Sequence, residues 1–182
     1  MKCVNRALGA GLLLALFAGC NAESTVGPLA ADDQSPEGAV TKFLDAVRTG
    51  DQDKANAMLT VVARTKTAEK DLVVAPPGSD SASFKVGQVE SVGEGLAHVE
   101  TFWTDKDEDN NAHTDTIVWF TRKDPEGWRI SGMATRVYDG QIPVVLNFED
   151  PEDMLRRQQA VEKEMARRAK TEQAAKPQTT PR

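Results

Sequence analysis

Few side chains in this sequence have the chemistry of a catalytic or covalently modified site. Its 182 residues include two cysteines, two histidines and one tyrosine. The cysteines are Cys3 and Cys20, the histidines are His98 and His113, and the tyrosine is Tyr138. If the chain is processed at Cys20, the domain that follows has no thiol for a disulfide, for zinc or for nucleophilic attack.

Cys20 ends an apolar run that has the layout of an export signal. Lys2 and Arg6 are followed by about a dozen mostly apolar residues, whereas a helix that spans a bilayer needs roughly twenty. The sequence Phe-Ala-Gly-Cys at 17–20 resembles a bacterial lipobox, in which Leu is commoner than Phe at the first position.

The lipobox resemblance implies that residues 1–19 are a lipoprotein signal peptide. Cys20 would then be acylated and become the first mature residue, and its lipid chains would hold the protein on the bilayer. We therefore expect a bacterial lipoprotein of the cell membrane or outer membrane, with its domain in the periplasm or outside the cell. The alternative is an ordinary signal peptide cleaved nearby, for example after Ala22, which would release a soluble protein.

An acidic segment has part of the spacing of a calcium-binding loop. Asp105, Asp107 and Asp109 alternate along the chain, as the first ligands of an EF-hand do. The sixth and twelfth positions, however, are Asn110 and Thr116, where an EF-hand requires Gly and Glu. We therefore interpret the segment as a charged hairpin loop, and we predict no metal and no cofactor.

The N-terminal part of the domain has helical periodicity. Ser35 and Pro36 are favoured at the N-cap and the first helical position, and apolar residues then recur at helical spacing as far as Gly50. A second helix is predicted from Asp51, with apolar residues at the same spacing as far as Val62.

From Ser83 onward the apolar period shortens to two residues, which is typical of strands. Four strands are predicted: one begins at Ser83, and the others span Leu96–Thr104, His113–Arg122 and Trp128–Val137, the last being the closing strand. Helices followed by strands in hairpin connection indicate the α+β class with an antiparallel sheet.

Alternation within these strands selects four candidate pocket residues: His98, Asp115, Trp103 and Trp119. Trp103 shares a strand face with Ala97, and Asp115 shares one with Trp119. Because Asp115 lies on an apolar face, it is the best candidate for an inward-facing acid, with solvation at the edge of the strand as the favoured alternative. His98 lies on the face opposite Ala97, where it is either a pocket residue or a solvated strand residue. We assign no residue as catalytic.

The C-terminal part of the chain is highly charged and has few apolar residues, namely Met154, Leu155, Val161 and Met165. We interpret it as a solvated helix, with a coiled-coil or partner-docking helix as the alternative. The predicted segments are a signal peptide at 1–19, a flexible tether at 20–34, an α+β domain at 35–147, a charged helical extension at 148–175 and a disordered tail at 176–182.

Two segments resemble nuclear-transport-factor-two-like domains, a class that includes the lumazine-binding-like domains of bacterial lipoproteins. One is AVTKFLDAVRTGDQDKANAMLT at 39–60, where a Gly-Asp pair separates two apolar helices, and the other is WFTRKDPEGWRISGM at 119–133. The resemblance covers 35–137 and implies a cone-shaped, curved antiparallel sheet around the helices, with a pocket at its open end. Ketosteroid isomerases and polyketide cyclases of this fold use acids in that pocket.

The charge balance bears on the class of partner. The net charge is −6, and removal of Lys2 and Arg6 with the signal leaves 20 basic residues against 28 acidic ones, a net charge of −8. This balance argues against nucleic-acid binding, which requires a basic surface.

We expect the protein to bind without catalysing a reaction, because the sequence has no His, Asp and Tyr placed so that they could meet in one pocket. We therefore expect a membrane-anchored domain that binds a small ligand or a protein partner at the cell envelope. The alternatives are an enzyme of the polyketide-cyclase or isomerase type and a scaffold that binds partners through its C-terminal helix.

Overall fold

The computed structural model describes residues 34–75, 78–107, 109–137 and 142–175, the side chains of the last stretch as far as residue 171. Its elements are α1 (Pro36–Thr49), α2 (Gln52–Ala57), α3 (Val61–Ala68), β1 (Ser83–Gly93), β2 (Leu96–Lys106), β3 (Ala112–Asp124), β4 (Gly127–Thr135), β5 (Val144–Asn147) and α4 (Pro151–Ala175). The strands form one antiparallel sheet in the order β1-β2-β3-β4-β5. The predicted α+β class with an antiparallel sheet is confirmed.

Helix α1 is the centre of the core. The Ser35 side chain accepts a hydrogen bond from the Gly38 amide at 3.1 Å, and Gly50 ends the helix in the left-handed conformation, with a φ of 71°. One face of the helix is buried and contacts β1, β2, β3 and β4, so the sheet curves around it. The buried apolar residues of this face are Ala39, Val40, Phe43, Leu44, Ala46 and Val47. Burial of each large side chain among them stabilises the fold by about 1.5–3 kcal/mol.

The single helix predicted from Asp51 is instead two short helices, α2 and α3. Between them the backbone pairs with β4: the Thr60 amide donates to the Ile130 carbonyl and the Ile130 amide donates to the Met58 carbonyl, each at 2.9 Å. The Thr60 side chain then accepts a hydrogen bond from the Ala63 amide at 3.1 Å and caps α3. These contacts end one helix and start the next, although the apolar spacing continues through the break.

The core extends past the predicted end of the domain at Asn147. Strand β5, which the sequence analysis did not predict, pairs with β4, so the strand predicted to close the sheet is internal. Phe148 is 2% exposed and Met154 is 3% exposed, and both belong to the core cluster. The first turn of α4 is therefore part of the domain, so the domain does not end at Asn147, whereas the helix after Leu155 is mostly exposed, as expected of a solvated helix.

Several predicted features lie outside the described residues. These are the signal peptide at 1–19, Cys20, most of the proposed tether, Tyr138 and the tail at 176–182. Across the stretches that are described, no helix is both long and apolar enough to cross a membrane.

Candidate functional site

A cavity of about 190 Å³ lies between α1 and the concave face of the sheet. Every side chain that lines it is apolar: Phe43, Leu44 and Val47 from α1, Val74 from the segment after α3, and Trp103, Ile117, Trp119 and Met133 from the sheet. The cavity can therefore bind a ligand through shape and apolar contacts. Its wall contains no titratable group.

Strand register places the two tryptophans on the same face. Trp119 of β3 is opposite Val99 of β2 and Met133 of β4, and Trp103 of β2 is opposite Asp115 of β3. Since directly opposed residues in antiparallel strands project to the same side, these positions all belong to the concave face. Trp103 and Trp119, both candidate pocket residues from the sequence, line the cavity.

The one polar atom of the Trp119 side chain is hydrogen-bonded. Its Nε1–H donates to Thr101 Oγ1 at 2.9 Å, and Thr101 is fully buried. The Phe43 ring meets the Trp119 ring edge-on, with centroids 5.1 Å apart. These contacts fix the orientation of the indole. Because its buried N–H is already hydrogen-bonded, only the apolar part of the ring is available to a ligand in the cavity.

Asp115 lies beyond the cavity, toward the solvent. Its side chain is 47% exposed, and its Oδ1 atom is 3.0 Å from His113 Nε2. The register places it on the concave face with Trp103, but it is not among the residues that line the cavity.

His98 does not join the other three candidates. Its neighbours Ala97 and Val99 are buried on the concave side, so the alternation of the strand directs His98 to the outer face. There its ring lies 4.8 Å from the Phe120 ring, between centroids, and Phe120 is also its partner across β3. Of the two interpretations made from the sequence, the structure therefore favours a strand residue outside the pocket.

A stacked aromatic pair separates the cavity from a second, more open groove. The rings of Phe84 and Trp103 are parallel within 4°, with centroids 6.2 Å apart. Trp103 lines the cavity, whereas Phe84 lines a groove of about 730 Å³ along α1 and α2. Ten residues line the groove, six of them polar or charged and four apolar: Thr41, Lys42, Asp45, Ala46, Thr49, Asp51, Lys54, Ala57, Met58 and Phe84.

The acidic loop uses its carboxylates in local hydrogen bonds. Asp105 accepts from Ser81 Oγ at 2.5 Å, from the Lys106 amide at 2.8 Å and from Ser79 Oγ at 2.9 Å, and these donors lower the pKa of its carboxyl group. Asp107 accepts from the Asn111 amide at 2.8 Å. In the described stretches, no three His, Cys, Asp or Glu residues are grouped so as to hold a metal ion.

Comparison with known proteins gives one result of note. No family model matches the chain, and no curated protein sequence matches it. Among solved structures, the chain is similar to a ketosteroid isomerase-like protein from Erwinia carotovora atroseptica SCRI1043, with 19% identity and a TM-score of 0.39, over 52% of this chain and 87% of that chain. A similarity of this size does not extend the name or activity of that protein to this chain.

Proposed function

We propose that this chain is a membrane-anchored, non-catalytic domain that binds a small apolar ligand between α1 and the sheet. The observation that carries the proposal is the cavity of about 190 Å³ with an entirely apolar lining. An apolar cavity of about 150 Å³ in a protein core is known to bind benzene. A single aromatic ring with small substituents, or a short branched hydrocarbon, is therefore the ligand class that fits.

The absence of catalysis is supported by the placement of the candidate acid–base groups. Asp115 is half-exposed and paired with His113, and His98 is on the outer face of the sheet. A general acid or base must be within hydrogen-bond reach of the atom it protonates or deprotonates. A ligand inside the cavity would be in contact with rings and alkyl groups only.

Ligand binding is tested by titration with p-xylene while tryptophan fluorescence is recorded. Trp103 and Trp119 both line the cavity, so occupancy changes the surroundings of both indoles. We expect a saturable change. Val74→Phe, which puts a larger side chain into the wall, should abolish that change.

Val73→Phe is the matched control for this variant. Val73 is the adjacent residue, it is 68% exposed, and it does not line the cavity. Binding by Val73→Phe should equal that of the unmodified chain. Equal binding by both variants, or a fluorescence change that never saturates, would contradict the proposal.

Membrane anchoring is supported by the lipobox-like sequence that ends at Cys20. Two or more acyl chains hold a protein stably on a bilayer, whereas a single myristoyl chain does so only marginally. In a bacterial host given radiolabelled palmitate, the unmodified chain should be labelled and found in the membrane fraction. Cys20→Ser should remove the label, and Cys3→Ser, the other cysteine, should retain it. Persistent labelling of Cys20→Ser would contradict the anchor.

A further inference from the structure

The two edges of the sheet differ in length and in protection. Strand β5 has four residues and is packed by α4, whereas β1 has eleven residues and its side away from β2 pairs with no other backbone in the described part of the chain. Residues 87–93 of β1 are all exposed, among them Val89 at 40%. An edge of this kind presents a row of unpaired amide and carbonyl groups that can pair with another strand.

A bulge in the middle of β1 changes which residues share a face. Val86 is opposite Thr101 and Val89 is opposite Val99, so the pair Gly87 and Gln88 stands against Glu100 alone. Because of this extra residue, the face alternation shifts by one position across the bulge.

The shift puts oppositely charged residues on one face. Lys85 is opposite Phe102 and Glu90 is opposite His98, and these two partners, four residues apart on β2, both lie on the outer face. Lys85 and Glu90 therefore both project outward, although they are five residues apart. Both are exposed, and no ion pair found among the described residues includes either of them.

We propose that β1 is the interface through which two copies of this chain associate, by antiparallel pairing of β1 with β1 about a centre between Gly87 and Gln88. In this register Lys85 is opposite Glu90 of the second copy, and the symmetry of the dimer produces this ion pair twice. On the inner face, Val86 is likewise opposite Val89 of the second copy.

A second copy is the occupant favoured by the charges, because the strand is complementary to itself. Opposite charges directly across an antiparallel pair stabilise it, and like charges destabilise it. A bulge on an edge strand often discourages pairing. Here the bulge of each copy lies at the centre of the register. Because the bulge places Lys85 and Glu90 on the same face, Lys85 of one copy lies opposite Glu90 of the other.

Zero-length carbodiimide cross-linking tests the register directly on the full chain in detergent micelles. The partners of Lys85 and Glu90 are four residues apart on β2, so the two residues are roughly 13 Å apart along β1 at the rise of a β-strand. When labelled and unlabelled chains are mixed, a bond within one copy joins peptides of a single isotope, whereas a bond between copies can join both. With an equal mixture of ¹⁴N and ¹⁵N chains, we expect a Lys85–Glu90 cross-linked peptide that contains both isotopes. Cross-linking without this peptide would overturn the proposal.

Charge reversal provides a second test that is independent of the chemistry of cross-linking. Lys85→Glu and Glu90→Lys each create two like-charge pairs in the dimer, and each should weaken association in sedimentation equilibrium by about tenfold or more. The double variant restores opposite charges and should recover the affinity of the unmodified chain.

Both side chains are exposed, so thermal unfolding should be unchanged and any loss of association is not a loss of folding. A chain that is monomeric at every concentration, or one whose association is the same in all three variants, would overturn the proposal. Neither result affects the apolar cavity, which lies on the other side of the sheet from the charged pairs.

Discussion

Thr101 does not line the cavity itself, but it holds the indole of Trp119, which does. Thr101 is fully buried, and its Oγ1 atom accepts the indole N–H of Trp119 at 2.9 Å. Thr101→Val keeps the shape but removes the acceptor, which leaves a buried donor unpaired. We expect the free energy of unfolding, measured by urea denaturation, to fall by about 1–3 kcal/mol.

Thr104 on the same strand is the control for this substitution. Its hydroxyl is hydrogen-bonded to that of Thr114 at 2.7 Å in an exposed position, where water can replace the bond. Thr104→Val should therefore change the free energy of unfolding by no more than about 0.5 kcal/mol. An equal loss in both variants would contradict the role given to Thr101.

Sequence alternation predicted part of the site at this scale. It grouped Trp103 with Ala97 and Asp115 with Trp119, because direction along a strand is a local property, whereas only the register of β2 against β3 places the two groups on one face. It did not decide whether His98 is a pocket residue or a solvated strand residue, because that depends on the curvature of the whole sheet. Val74 could not be found in this way, since it belongs to a segment without periodicity that reaches the cavity only in the folded chain.

At the scale of elements, Glu149 joins three parts of the chain. Its carboxylate accepts a hydrogen bond from Arg122 Nη1 at 3.1 Å and one from Thr60 Oγ1 at 2.6 Å, and its Oε1 atom forms an ion pair with Arg122 Nη2 at 2.8 Å. Arg122 also donates to Asp124, which accepts a hydrogen bond from the amide of Val61 at 3.1 Å. The start of α3, the β3–β4 hairpin and the turn before α4 are held together by this network.

Charge in the network stabilises the protonated form of Arg122. Burial by itself lowers the pKa of this guanidinium, but the hydrogen bond to Asp124 and the charge of Glu149 outweigh burial, so its pKa is raised. The guanidinium therefore stays charged at all pH values at which the protein would be studied. Removal of a carboxylate, that of Glu149 or Asp124, is then the change that weakens the network.

Glu149→Gln should lower the free energy of unfolding by about 1–3 kcal/mol, since it removes the charge that faces a partly buried guanidinium. Glu152→Gln is the control: Glu152 is 74% exposed and pairs with Lys70 at the surface, where an ion pair contributes about 0–1 kcal/mol. Chemical denaturation of both variants measures the difference. Equal stability of the two would show that the Glu149 network does not hold the elements together.

Elements defined by local patterns were predicted, and those defined by distant contacts were not. Helix α1 and strands β1 to β4 follow from periodicity and turn residues. The break between α2 and α3 depends on backbone pairing of Met58 and Thr60 with Ile130, about seventy positions later in the sequence, which no local pattern records. Strand β5 is too short, at four residues, for alternation to indicate it.

For the whole molecule, the docking of α4 decides where the chain can be shortened. Truncation after Asn147 would remove Phe148 and Met154 from the core, so we expect loss of cooperative unfolding or a fall in stability of at least about 3 kcal/mol. Truncation after Gln159 keeps both residues and should leave thermal unfolding nearly unchanged. Unfolding curves that are alike for the two truncations would contradict a structural role for the first turn of α4.

The cavity between α1 and the sheet is proposed to bind a small apolar ligand. The most direct test is the set of intermolecular nuclear Overhauser effects from the methyl groups of p-xylene to the protein. We expect contacts to Leu44, Val47 and Met133, which line the cavity from opposite sides. Contacts confined to the outer face of the sheet, around Phe120, or no contacts under saturating p-xylene, would contradict the proposal.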